Sequence, residues 1–329
     1  MAHFPSVRPR RLRENPAIRD LVRETRVHPA DLVMPVFVRP GQRERRPIAA
    51  MPGIAQLSPD EALRECEAVA KAGVKAVLLF GIPEGKDAAA SWGHREDGVV
   101  QQALRLVKKE IPELLLIADV CLCDYTDHGH CGLVQEAGDL PHIDNDSTLE
   151  VLSKIAGSMA RAGADVIAPS DMMDGRVQKV RDELDAAGFK QLPILSYAVK
   201  YASSFYGPFR EALESAPKFG DRRGYQMDPS NFHEAFREAE QDLEEGADIL
   251  MVKPALTSLD VIRALRDRFD APLAAYQVSG EYAAIKFAAQ QGVIDEAAAV
   301  LETWTVLKRA GADIIVSYFA RDYATRLRG

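Results

Sequence analysis

Long apolar runs are missing from this sequence. No segment approaches the roughly 20 residues that a bilayer-spanning helix needs, and the N-terminus has no apolar core of the kind a secretory signal carries. No membrane partner is expected, and the cytoplasm is the expected compartment. Cysteine is scarce, with four residues in 329. Thiols stay reduced in the cytoplasm, so these four are expected as metal ligands, reactive groups or core filler and not as disulfides. An excess of positive charge is absent as well. The formal net charge is −8, which argues against nucleic acid as a partner. The basic cluster Arg8-Pro9-Arg10-Arg11-Leu12-Arg13 is short and broken by proline, and reads as an arm.

What remains is ordinary globular composition, 47% hydrophobic and 27% charged, with ample length for one large core. The stretch that organises the chain is Asp248-Ile249-Leu250-Met251-Val252-Lys253-Pro254. Four apolar residues leave a Gly-Ala-Asp turn and end on a lysine, which reads as a strand buried on both faces and stopped by proline. The same unit recurs. Gly163-Ala164-Asp165 launches Val166 to Ser170, Gly311-Ala312-Asp313 launches Ile314 to Tyr318, and Gly73 launches Val74 to Phe80 without the aspartate. Each glycine reads as a helix C-cap turning into a strand. Further apolar runs lie at Leu32 to Val38, Leu114 to Val120, Leu192 to Tyr197 and Pro272 to Val278.

Helical patterns separate these runs. One begins at Ser58-Pro59-Asp60-Glu61, where a capping box is expected, and buries Leu63, Cys66, Val69 and Ala70. Two more place Phe232, Phe236, Ala239 and Leu243, and then Val261, Ile262, Leu265 and Phe269, on single faces. Eight strands alternating with helices predict an α/β protein, a closed (β/α)8 TIM barrel over 32–329, behind an N-terminal arm at 1–31. A doubly wound open sheet is the alternative, but no G-x-G-x-x-G follows the first strand. Barrel chemistry belongs at the C-terminal strand ends. The polar residues there are Asp119, Ser170, Tyr197 with Lys200, Lys253, Ser279 and Tyr318.

Three features at those ends point to chemistry. An amine in an apolar slot, as at Lys253, loses hydration and becomes the neutral nucleophile that Schiff-base formation needs, although a lysine snorkelling from a strand end looks the same in sequence. Lys200 on a neighbouring strand would lower that pKa further. Cys121, Cys123 and Cys131 fall within eleven residues of one another in a glycine-containing loop, a density that suits zinc with a fourth position open. His128 or His130 could instead close the site. Finally, the long segment from Tyr201 to Ser230 reads as a lid without clear helical period, and its Arg210, Arg222 and Arg223 are either carboxylate clamps or solvated surface arginines.

The motifs DVCLCDYTDHGHCG, PSDMMDGRV, SYAVKYASSFYGPFR, GDRRGYQMDP, EGADILMVKP, YQVSGEY and GADIIVSY, in this order along nearly the whole chain, resemble the porphobilinogen synthase (5-aminolaevulinate dehydratase) family. The resemblance implies a TIM-barrel enzyme that condenses two 5-aminolaevulinate molecules to porphobilinogen early in tetrapyrrole biosynthesis. It implies that Lys253 forms a Schiff base with one substrate and that Lys200 binds the ketone of the other. Ser279 and Tyr318 match residues that hold the first carboxylate, and Arg210, Arg222 and Gln226 match those that hold the second. Asp119, Ser170 and Tyr197 match residues around the amino group and the proton transfers. Cys121, Cys123 and Cys131 match the zinc triad, where the metal either polarises a carbonyl or supplies hydroxide. Glu238 aligns with a glutamate of an allosteric magnesium site, against the reading of an ordinary solvated side chain. A homo-octamer, with residues 1–31 embracing a neighbour, is also implied.

The sequence departs from the family pattern at Ala198 and over Ala255 to Ser258, neither of which removes a reacting group. Asp124 and Asp127 echo members whose loop is aspartate-rich and lacks zinc. An aldolase-like lyase would need one lysine and no cysteine loop, and a zinc-binding scaffold would need neither lysine.

Overall fold

The structure, a computed structural model, describes residues 7–137 and 140–327. Residues 1–6 of the expected arm and the last two residues of the expected barrel domain lie outside that description. Eight parallel strands form the barrel: β1 (Leu32–Val38), β2 (Ala76–Gly81), β3 (Leu115–Val120), β4 (Val166–Pro169), β5 (Leu195–Lys200), β6 (Ile249–Lys253), β7 (Leu273–Gln277) and β8 (Ile314–Ser317). They run in the order β4-β3-β2-β1-β8-β7-β6-β5. A parallel bridge between Ile167 and Ile194 joins β4 to β5 and closes the ring. The eight-fold alternation read from the sequence is this barrel.

The recurring turns are visible as backbone geometry. Gly73, Gly163, Gly246 and Gly311 all have positive φ, between 92° and 126°, which a side chain would strain. The aspartate that follows three of them has its own task. Asp165 accepts from Leu116 N, Asp248 from Ile194 N and Asp313 from Leu273 N, at 2.8–2.9 Å. Each carboxylate therefore caps the start of a neighbouring strand on the N-terminal face of the barrel, where backbone donors would otherwise lack partners. These aspartates are scaffold, set opposite the face where barrels do chemistry.

Outside the ring pack α1 (Pro59–Ala72), α2 (Val99–Glu110), α3 (Asn145–Arg161), α4 (Arg176–Ala186), α5 (Glu234–Glu244), α6 (Leu259–Arg268), α7 (Ser279–Gln290) and α8 (Glu296–Ala310). Helix α1 starts at Pro59 as expected, but its capping box does not form. Ser58 Oγ turns instead to Asp60 Oδ1, 2.6 Å away. Cys66 is fully buried core filler, and burial pushes its thiol up to about 12. Phe232 falls before α5 and stays 37% exposed, so the apolar face of that helix starts later than the spacing suggested.

Two small ribbons were not apparent from the pattern. Arg45–Pro47 pairs with Ala55–Leu57, which also pairs with β1, and Leu133–Ala137 pairs with Leu140–Asp144 just after the cysteine loop. The segment from Tyr201 to Ser230 is not wholly irregular either. It contains a turn of 3-10 helix, Ser204–Tyr206, and a short α-helix, Gly207–Ala212.

Candidate active site

The two lysines end adjacent strands. Lys253 closes β6, Lys200 closes β5, and they are direct partners in the parallel register. Both are 4% exposed. Four aromatic rings surround the Lys253 amine: Tyr276 at 4.4 Å, Phe209 at 4.7 Å, Tyr197 at 5.1 Å and Tyr206 at 5.3 Å from Nζ to ring centre. Tyr197 and Tyr276 come from the strands, Tyr206 and Phe209 from the segment that folds over them. Phe209 is anchored there by Phe80, 5.0 Å away and edge-on, and by Phe37. Burial in this cage, and then the neighbouring Lys200 cation, push the Lys253 amine down to about 7, against the pull of Asp119. The Lys200 amine donates to Ser170 O.

Ser170 links Lys200 to Asp119, since its carbonyl accepts from the lysine and its hydroxyl donates to Asp119 Oδ2 at 3.0 Å. Burial, then the Asp124 charge, raise Asp119 to about 7. One small cavity is lined by Lys253, Lys200, Asp119, Ser170, Arg210, Arg222, Gln226, Cys123, Asp124, Tyr206 and Phe209. Buried polar atoms without hydrogen-bond partners concentrate in these residues and beside them: Asp119 Oδ1, Tyr197 OH, Arg210 Nε, Arg222 Nε and both amide atoms of Gln226. Buried polar groups are normally paired, so such a cluster marks a site built to receive a polar ligand. Ser279 and Tyr318 are buried but their hydroxyls are engaged within the protein. Ser279 Oγ accepts from Phe209 N at 3.0 Å, and Tyr318 OH meets Tyr276 OH at 3.0 Å.

The three loop cysteines are brought together. Their sulfurs lie within 4.8 Å of one another, and all three are buried. Cys121 and Cys123 are 3.3 Å apart. Contact with the other two thiols favours the thiolate at Cys131. Burial, then contact with Cys123 and Cys131, favours the thiol at Cys121, and at Cys123 the opposing contact with Cys121 is outweighed by contact with Cys131 and by burial. The set is compatible with a metal site. Neither histidine joins it among the described residues. His130 spends Nδ1 on Tyr225 OH (3.1 Å) and Nε2 on Phe219 O (3.0 Å), while His128 Nδ1 accepts from His130 N (3.1 Å). The histidines instead bind the cysteine loop to the covering segment. Arg222 adds to that seam by donating to Gly129 O and Ser215 O, at 2.8 and 2.7 Å.

A family model described as "Delta-aminolevulinic acid dehydratase" matches residues 6–326. The chain belongs to the delta-aminolevulinic acid dehydratase family. It is 55% identical over 321 residues to the delta-aminolevulinic acid dehydratase of Methanothermobacter thermautotrophicus, covering 97% of each chain. It is 53% identical over 317 residues to that of Halalkalibacterium halodurans, covering 96% of this chain and 95% of the relative. It superposes with a TM-score of 0.94, at 46% identity, on the delta-aminolevulinic acid dehydratase (porphobilinogen synthase) of Toxoplasma gondii ME49, solved in complex with the reaction product porphobilinogen. That match covers 97% of this chain and 91% of the other.

In this member of the dehydratase family the departures from pattern differ in burial: Ser258 is buried, Leu256 half-buried and Thr257 exposed. Ala198 and Ala255 are fully buried. Glu238 lies away from the lysines, in an outer pocket with Asp174, Asp228, Glu234 and Arg223. It is half-buried, and burial, with Asp242, Asp174 and Glu234 nearby, raises its carboxyl to about 7 against the pull of Arg176. Arg223 faces that outer pocket and is exposed, so of the three arginines at 201–230 only Arg210 and Arg222 reach the lysine cavity.

Two functional features escaped sequence reading. The rings of Tyr206 and Phe209 lay in the segment read only as a lid, where aromatic content was the available signal. The buried ion pair of Arg176 with Asp242 (2.8 Å, each side chain 2% exposed) had no local signal at all. Arg176 also donates to Ser196 Oγ (3.2 Å) and to Tyr197 O (3.4 Å), and so holds the strand that carries Tyr197 and Lys200.

Proposed function

We propose that this chain is a porphobilinogen synthase that condenses two 5-aminolaevulinate molecules through lysine Schiff bases. The observation that carries the reading is the pair of buried lysines in register at the ends of β5 and β6, inside a cavity rich in unpartnered polar groups. The neutral Lys253 amine attacks one substrate ketone and water leaves, giving an iminium that acidifies the adjacent carbon. Asp119, raised to about 7, is suited to take or return that proton near neutral pH. Lys200 engages the ketone of the second substrate. The net reaction makes one carbon–carbon and one carbon–nitrogen bond between the substrates, each with loss of one water, and both lysines are regenerated.

Binding follows from charge. Arg210, Arg222 and Gln226 hold one carboxylate from the lid at 201–230, Ser279 and Tyr318 hold the other, and Tyr197 and Ser170 line the proton-transfer region. Aromatic rings around Lys253 keep water from the Schiff base. Cys121, Cys123 and Cys131 would hold zinc, since three buried thiols suit a soft ion and leave one coordination position open. When bound, it supplies Lewis-acid or hydroxide chemistry beside the second substrate. Glu238, with its acidic neighbours, would hold an allosteric magnesium. The exposed apolar residues Val7, Leu12, Leu21 and Val22 suit an arm that packs on a neighbour in a homo-octamer. No helix among the described residues is long and apolar enough to cross a membrane, in keeping with a cytoplasmic enzyme.

The test is mass spectrometry after borohydride reduction with 5-aminolaevulinate, with and without a zinc chelator. The expected result is an adduct on Lys253, and porphobilinogen formation that stops on chelation. No adduct on either lysine would sink the proposal.

A further inference from the structure

Strands β6 and β7 carry, at their C-terminal ends, the Lys253 amine and the start of α7 with Ser279. Their backbone ladder stops early, the last paired residues being Val252 and Ala275. Beyond that point one backbone bond crosses, from Ala255 N to Tyr276 O at 2.9 Å. A side chain adds a second link. Glu281, 3% exposed in the first turn of α7, accepts from Val278 N with Oε2 and from Leu256 N with Oε1, both at 2.7 Å.

The Val278 bond is half of a capping box, a glutamate reaching back to its own helix start. The Leu256 bond is not local, since it holds the loop that leaves Lys253. One carboxylate therefore clasps the two strand-end loops, one oxygen to each. Burial raises the Glu281 carboxyl to about 7 against the pull of the Val278 and Leu256 backbone donors. In its ionised form both bonds are charge-assisted, about twice as strong as neutral ones, and shielded from water.

We infer that Glu281 is a positioning residue that sets the separation between the Lys253 amine and the Ser279 hydroxyl, and thereby the chain length of the oxo acid that bridges them. The inference rests on the reading above, in which Lys253 takes the ketone and Ser279 the carboxylate. On this inference a 4-oxo acid bridges the two groups better than a 5-oxo acid, which is one methylene longer. Glu281 itself touches neither group, so its removal loosens the selection and leaves the amine in place.

The experiment traps 4-oxopentanoate and 5-oxohexanoate on the full-length protein with cyanoborohydride, reading the adduct mass on Lys253. The wild-type protein is expected to trap the 4-oxo acid faster by about tenfold or more, the range that one methylene supports in a fitted pocket. Glu281→Gln keeps the shape but offers one acceptor oxygen and turns an amide N–H₂ toward a backbone donor. It is expected to bring the two rates within about threefold of each other, chiefly by slowing the 4-oxo acid. Glu281→Asp is too short to reach both loops and is expected to behave alike, and it stands in if the glutamine variant does not fold by circular dichroism.

A purely structural role would lower the folded fraction and slow both acids equally, leaving the ratio unchanged. A folded variant with the wild-type ratio overturns the inference. Absence of any Lys253 adduct in the wild-type protein overturns the functional reading instead.

Discussion

Lys253 offers the most exacting test. Its ordinary value of 10.5 is brought to about 7 by burial among aromatic rings and, second, by the Lys200 cation, with Asp119 pulling the other way. At pH 7 an ordinary lysine is neutral in about one molecule in 3,000, whereas Lys253 is neutral in about half, a gain of about 10³ in nucleophile. The difference between the two protonation states amounts to about 5 kcal/mol. The sign for stability follows. Between pH 7 and 10.5 the unfolded chain holds more protons on this amine than the folded one, so its contribution to stability rises with pH across that window.

The assay is the rate of cyanoborohydride trapping of 4-oxopentanoate on Lys253 as a function of pH, which should rise to half its maximum near 7. Lys200→Gln removes the cation and should move the midpoint upward. A tenfold gain in proton affinity takes the neutral share at pH 7 from a half to about a tenth, so trapping there should fall about fivefold. Asp119→Asn removes the opposing charge and should move the midpoint the other way. A wild-type midpoint near that of free lysine, or one indifferent to Lys200, refutes the reasoning.

Three further outcomes are expected. Elemental analysis of the purified protein should find about one zinc per chain, lost on Cys131→Ser because two thiols cannot replace a buried three-thiol set; full retention would show that the metal sits elsewhere. Arg176→Met leaves Asp242 charged and unpaired in the interior, which should cost about 3–5 kcal/mol in urea unfolding; a loss below about 1 kcal/mol would contradict the pair's role. Asp248→Ala removes the acceptor for Ile194 N on the N-terminal face, at a cost of about 1 kcal/mol, with catalytic rate per folded molecule unchanged; a selective loss of activity would refute the division between the two faces.

The features legible in the sequence share one property: each is carried by neighbours along the chain. A positive-φ glycine, an aspartate and an apolar run suffice to place β4, β6 and β8, and an apolar run ending in lysine suffices to put Lys253 at a barrel mouth. The cysteine triad is equally local. Partnerships across the chain left no such trace. His130 looked like a candidate fourth ligand because it sits beside Cys131, yet its two ring nitrogens are claimed by Tyr225 and Phe219, 95 and 89 residues away. Ser58 has the spacing of a capping box, but its oxygen accepts from Glu44 N and its own N–H donates to Glu44 O, 14 residues away, while the hydroxyl donates to Asp60.

The same division explains Glu281. It reaches back to the N–H of Val278 at the start of its own helix, and only the fold reveals that its other oxygen serves the loop after Lys253, at Leu256, 25 residues earlier. Local pattern thus located the reacting groups, while the distances between them are held by side chains whose partners lie elsewhere in the sequence. On the inference drawn for Glu281, a barrel that keeps its amine, its hydroxyls and its thiols can still change the substrate it accepts, because a side chain that touches neither the amine nor the hydroxyl sets their separation.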